Sequence, residues 1–141
     1  MSFNPIQKII IAVSLVLIIV GVIFTIFNWP ECSESMIIPM DGFVNTQRAQ
    51  YWGIKTNKDY LAFGGASLGS TIKRSMMVQH KQKVSVDIRL SGDIAPFVTA
   101  EPAAFTIEEG KEQQVDFYFT PIEGTAQGNY RGEVIYCFKD R

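Results

Sequence analysis

One histidine, two cysteines and no acid before Pro30: these shortages bound what the 141-residue chain can do. A lone histidine, His80, cannot close a metal site and gives no basis for a Ser/His/acid triad. No Gly-Lys-Ser/Thr phosphate loop is present, and no Gly-x-Gly-x-x-Gly stands at a strand–helix junction. The sequence has no Asn-x-Ser/Thr acceptor for N-glycosylation and no Asp-rich loop of the kind calcium prefers. Basic runs are missing too. After Pro30, twelve bases stand against fourteen acids, a formal charge of −2. That balance makes no electrostatic claim on nucleic acid or on anionic headgroups, and no small-molecule substrate is evident. The chain reads as a non-enzyme with no cofactor.

What the chain has is one long apolar run. Residues 9–27 read IIIAVSLVLIIVGVIFTIF, nineteen residues without a charge, with Ser14 and Thr25 the polar members. As a helix the run spans roughly 28 Å, close to the hydrocarbon thickness of a bilayer. It is far too long for one strand, and in lipid a helix satisfies its own backbone. Trp29 follows, where an interfacial aromatic belongs, and makes contact with lipid or a partner. Lys8 and the amino terminus precede the run while Glu31 and Glu34 follow it. The positive-inside rule therefore puts the N-terminus in the cytoplasm and the bulk of the chain outside. A cleaved signal fits less well: its apolar core is shorter, and Phe27-Asn28-Trp29-Pro30 is too bulky for cleavage. Ser14 and Gly21, seven apart on one helix face, either admit a partner helix or simply face lipid. The expected organisation is a cytoplasmic N-terminus at 1–7, a transmembrane helix at 8–28, a membrane-proximal junction at 29–58 and a β-domain at 59–141.

The junction holds Pro30, Pro39, Asp41-Gly42 and Gly53, all breakers. Its apolar pieces, Met36-Ile37-Ile38, Phe43-Val44 and Tyr51-Trp52-Gly53-Ile54, suit one or two short strands. It is too apolar for a free linker and is expected to pack on the domain or on a partner. From about Tyr60 the pattern has period two. Val84, Val86, Ile88 and Leu90 share one face of residues 83–90; Val115, Phe117 and Phe119 share one face of 114–119; Val134, Tyr136 and Phe138 share one face of 133–139. Such alternation marks strands buried on one side. Met76 and Val78 point inward from a strand starting near Thr71, and Phe97-Val98 and Phe105-Ile107 mark two shorter strands. Turn signals stand at Gly64-Gly65, Gly69, Gly92-Asp93, Pro102, Glu109-Gly110, Pro121, Gly124 and Gly128-Asn129. Strands every eight to fourteen residues with no helical window predict an antiparallel sandwich of about seven strands.

Several residues carry a resemblance. Leu61-Ala62-Phe63-Gly64 leads into Gly69-Ser70-Thr71 and Arg74-Ser75-Met76-Met77-Val78. Ser91-Gly92-Asp93-Ile94, Phe97-Val98-Thr99, Phe105-Thr106-Ile107 and Glu109-Gly110 follow, and Gly128-Asn129-Tyr130-Arg131-Gly132 closes the set. Over about residues 60–139 this resembles the immunoglobulin-like repeats of archaeal and bacterial surface proteins, akin to the galactosidase-associated NEW3 (NPCBM-associated) type. Phe97 stands where those repeats often have Trp, and His80 where they often have Asn. The resemblance implies an immunoglobulin-like sandwich used as a spacer, adhesion module or assembly subunit, and implies no catalyst.

Four groups of side chains are candidates for something more specific. Cys32 and Cys137 either form a disulfide, closing a loop of about 105 residues and stabilising by about 4 kcal/mol in the chain-entropy model, or stay as two thiols. His80 with Met76 or Met77 has the soft donors of a copper site, against the plainer reading of a polar strand end with one Met in the core. Glu108-Glu109, Glu112 and Asp116 fit a solvated turn better than a calcium cluster or an acid pair. Tyr51, Trp52 and Tyr118 are contact-surface candidates, with packing of the junction as the alternative for the first two. The expected function is a membrane-anchored, extracytoplasmic accessory or structural subunit docking to partner membrane or envelope proteins. The alternatives are a surface-filament or motility-associated, stator-like sandwich and a metal or redox module.

Overall fold

The computed structural model describes residues 4–27, 32–46, 56–57 and 59–140. Two compact units divide it, Met1–Glu31 and Cys32–Arg141. The first is one helix, α1 (Pro5–Phe27). Pro5 suits a first helical position, where its missing N–H would have had no partner. The side chains described consecutively within it, 10–23, are all exposed. Among the described residues no helix is long and apolar enough to cross a membrane.

The second unit is β-rich. Among its described residues are nine strands: β1 (Glu34–Asn45), β2 (Thr56–Asn57), β3 (Tyr60–Ser67), β4 (Ile72–Gln79), β5 (Val84–Gly92), β6 (Val98–Glu101), β7 (Ala104–Ile107), β8 (Glu112–Phe119) and β9 (Gly128–Asp140). They form a six-stranded sheet, β2-β3-β1-β9-β5-β7, and a three-stranded sheet, β4-β8-β6. Sheet-on-sheet packing needs apolar residues at alternate positions of both inner faces, and the strands supply them. Val84 and Val86 of β5, Val115, Phe117 and Phe119 of β8, and Val134, Tyr136 and Phe138 of β9 are buried, as the alternation predicts. Ile88, Leu90 and Met76 pack against that core and are partly buried. Phe119 lies 5.2 Å from Phe63, and Tyr136 meets Phe117 edge-on at 6.5 Å, joining the two sheets through rings.

Three expectations are corrected. The β-unit begins at Cys32, not at residue 59. β1 sits inside the large sheet, pairing with β9 over eleven residues from Glu34↔Phe138 to Val44↔Gly128. Its Ile38, Met40 and Val44 enter the core. The breakers Pro39 and Gly42 do not interrupt it; a Cβ on Gly42 would meet the Phe119 ring, so the bare backbone makes room for that ring. Second, the sandwich is not wholly antiparallel, because β1 and β3 run parallel. Third, two turn signals lie within strands. Gly64-Gly65 is inside β3, where the register opposite Asp41 and Phe43 shifts and Gly64 takes φ +79°, a bulge conformation that glycine tolerates. Gly128-Asn129 opens β9.

Candidate contact surface

β1 and β9 place the two cysteines together. Cys32 precedes β1 by two residues and Cys137 is opposite Ser35 in the β1–β9 register. The disulfide Cys32–Cys137 spans 5.1 Å between Cα atoms, and Cys137 is fully buried. The Ser33 amide donates to the Phe138 carbonyl at 2.8 Å, so the bridge and the ladder close the same end of the sheet.

His80 stands near that end, after β4. Its ring stacks on Phe138 with centroids 5.3 Å apart. The Gln82 amide donates to Nδ1 at 3.2 Å, and Nε2 lies 3.5 Å from the Glu34 carboxylate. The nitrogens therefore have protein partners. Met77 is exposed, whereas Met76 turns inward to accept from the Tyr136 hydroxyl at 4.0 Å. The copper reading would need both sulfur and imidazole free on one side, and the strand alternation separates the two methionines. Among the described residues no group of three or more His, Cys, Asp or Glu side chains clusters as a metal site. A depression of about 500 Å³ beside His80 is lined by Gln79, Lys81, Glu109 and Gly110.

Asp116 is not part of an acidic cluster. Lys73 pairs with it at 2.8 Å, and Ser75 and Gln114 donate to it at 2.5 and 2.8 Å. These bonds to the ionised form, led by the one from Lys73, lower its pKa to about 2. The same contact raises that of Lys73. Tyr118 is half-buried with the Lys73 ammonium 5.6 Å from its ring centroid. It is thus part of a hydrogen-bonded polar sheet face. Glu108 pairs with Lys83 at 2.9 Å on the solvent side. Burial pushes the Tyr136 phenol well above its usual range. Trp29, Tyr51 and Trp52 lie outside the described residues.

Comparison with protein families, curated proteins and solved structures finds no match.

Neither the contacts of Arg74 nor the place of Met36 and Ile37 in the large sheet is legible in the sequence. Arg74 reaches from β4 to the other sheet, its Nε donating to the Ala62 carbonyl at 3.0 Å and a terminal nitrogen to the Phe63 carbonyl at 3.3 Å. These bonds tie the small sheet to the large one at β3. Below it on β1, Met36 and Ile37 are 39% and 55% exposed. Their apolar character was visible in the sequence; their pairing with Tyr136 and Ile135 of β9 was not, because it depends on a strand almost a hundred residues away.

Proposed function

We propose that the chain is a non-enzymatic accessory or structural subunit, anchored in a membrane by α1, that displays its sandwich on the outer side and docks to partner membrane or envelope proteins. The observation that carries this reading is the Cys32–Cys137 disulfide. Such bridges persist in oxidising compartments and are rare in the cytosol. Cys32 follows the end of α1 by five residues, so the oxidising side begins directly after the apolar segment. The charge distribution supports the same orientation, with Lys8 before the apolar run and acids after it. The uncharged run at 9–27 supports a spanning role, since nineteen residues at 1.5 Å each come to roughly 28 Å. The domain's two packed sheets suit kinship with the immunoglobulin-like repeats of surface proteins, although the parallel β1–β3 pair departs from an all-antiparallel pattern. Capture of tagged full-length protein from detergent-solubilised membranes tests the docking. A stoichiometric envelope or membrane partner is expected; a lone monomer counts against it.

A load-bearing place in a surface filament or motility apparatus is a second reading. It is favoured by β1, which follows the anchor in sequence, lies inside the large sheet and is stapled to the last strand. Loss of motility on deletion of the gene would select it.

A further inference from the structure

We infer that the Cys32–Cys137 disulfide is a mechanical clamp, which carries tension between α1 and the chain beyond Cys137 past the sandwich and keeps the β1–β9 ladder from being unzipped. The inference deepens the filament or motility reading above and rests on it.

The register of the two strands creates the need. β1 and β9 are antiparallel, paired from Glu34↔Phe138 at one end to Val44↔Gly128 at the other. The chain arriving from α1 enters this ladder at Glu34 and leaves it past Phe138. Entry and exit are thus at the same end. The hydrogen bonds of an antiparallel pair lie perpendicular to the strands. A pull on both strands from one end therefore falls along those bonds and opens them one pair at a time. A pull from opposite ends runs along the strands and loads all eleven pairs together. Forced opening is governed by the barrier to unfolding rather than by total stability. For force that comes through the anchor, the pair is in its weak orientation.

The bridge lies where that weakness begins. Cys32 stands two residues before Glu34 and Cys137 one residue before Phe138, so the covalent bond sits at the first pair of the ladder. Tension then runs from Cys32 through the two sulfurs into Cys137 and Phe138. The 105-residue separation between the cysteines is bypassed, and with it β1 to β8 and most of β9. A bridge at the Val44↔Gly128 end would leave every pair to open before it took any load. Stability does not select the position, because the chain-entropy gain varies only with the logarithm of loop length. A bridge several pairs along the ladder would stabilise almost equally.

Beyond the clamp, Phe138 to Asp140 of β9 stay in the path of force. β5 holds them through Val86↔Phe138, Ser85↔Lys139 and Val84↔Asp140. The Lys139–Asp87 ion pair adds to this, and the Asp140 amide donates to the Ser33 hydroxyl at 3.2 Å.

The test is single-molecule pulling on the full-length protein in detergent, with handles on peptide tags at both ends. The oxidised chain should lengthen chiefly by the uncoiling of α1, about 50 Å for its 23 residues. With Cys32→Ala and Cys137→Ala a further step of roughly 350–380 Å is expected, the extended length of 105 residues. A third arm adds Ala126→Cys to that double variant and moves one handle to it, an exposed position near the Gly128 end. The ladder is then pulled from opposite ends and should open at a severalfold higher force. If the double variant does not fold, a phosphine reductant is added to the oxidised chain under tension. The phosphine takes oxygen from water as the disulfide becomes two thiols, and the long step should follow only then. A long step from the unreduced oxidised chain overturns the clamp, as does an equal opening force from position 126 and from the ends. Cells carrying the double substitution separate the clamp from the reading beneath it. Unchanged motility with the expected pulling results means that the clamp stands and the filament or motility reading fails. Lost motility with the opposite pulling results keeps that reading and removes the clamp.

Discussion

Removing the Cys32–Cys137 bridge with the double substitution Cys32→Ala and Cys137→Ala tests how the sandwich is held. The two cysteines are 105 residues apart in sequence. In the chain-entropy account a loop of that length stabilises by about 4–5 kcal/mol at 25 °C, by restricting the unfolded chain. The loop contains nearly the whole β-unit, from before β1 to within β9, so almost no unfolded conformation escapes the restriction. A domain of this size has a total stability of about 5–15 kcal/mol, so the loss takes about a quarter of it or more. At about 4 °C per kcal/mol the unfolding temperature falls by roughly 15–20 °C. Alanine avoids placing a hydroxyl at the fully buried Cys137 position. The assay is thermal and denaturant unfolding of full-length protein in detergent, oxidised, reduced and doubly substituted. Each single substitution costs nearly as much as the double, because either one breaks the bridge. A double-substitution loss below about 1 kcal/mol would refute the reasoning.

Four further outcomes follow from the packing and the charges. Phe117→Ala empties a fully buried ring site at the sheet interface and costs about 3–5 kcal/mol by denaturant unfolding. Gly132→Ala drives a Cβ into the Ser91 carbonyl oxygen on β5, backbone that cannot swing aside, and destabilises by about 1–3 kcal/mol or more. Ser85→Ala is stabilising by about 1 kcal/mol in the same assay, because the buried Ser85 hydroxyl has no hydrogen-bond partner among the described residues. Asp116 has a folded-state pKa lowered to about 2 from 3.8, so its contribution is complete above the usual value and disappears as pH falls through about 2. Asp116→Asn should flatten that part of an acid-unfolding profile; an unchanged profile would show that the Lys73, Ser75 and Gln114 contacts do not hold in solution.

Much of the sandwich is legible in local pattern. Val84 and Val86, Val115 through Phe119, and Val134 through Phe138 are strands whose own alternation names the buried face. What escaped was set by distant partners. Pro39 and Gly42 are breakers on their own, but Pro39 keeps its register with Glu133 and Gly42 lies under the Phe119 ring, so β1 runs straight through both. Gly64-Gly65 has the composition of a turn and forms a bulge instead, because β1 holds β3 on both sides of it. The disulfide stayed undecided for the same reason. Cys137 had a place in a strand, while Cys32 had none until β1 was paired with β9.

The most direct test of the account is the side of the membrane on which the sandwich lies. A membrane-impermeant maleimide is applied to intact cells carrying Ala126→Cys, an exposed position in the β8–β9 connection, or Ser2→Cys at the N-terminus. The account predicts labelling at 126 in intact cells and labelling at 2 only after lysis. Labelling at 126 that appears only after lysis would contradict it.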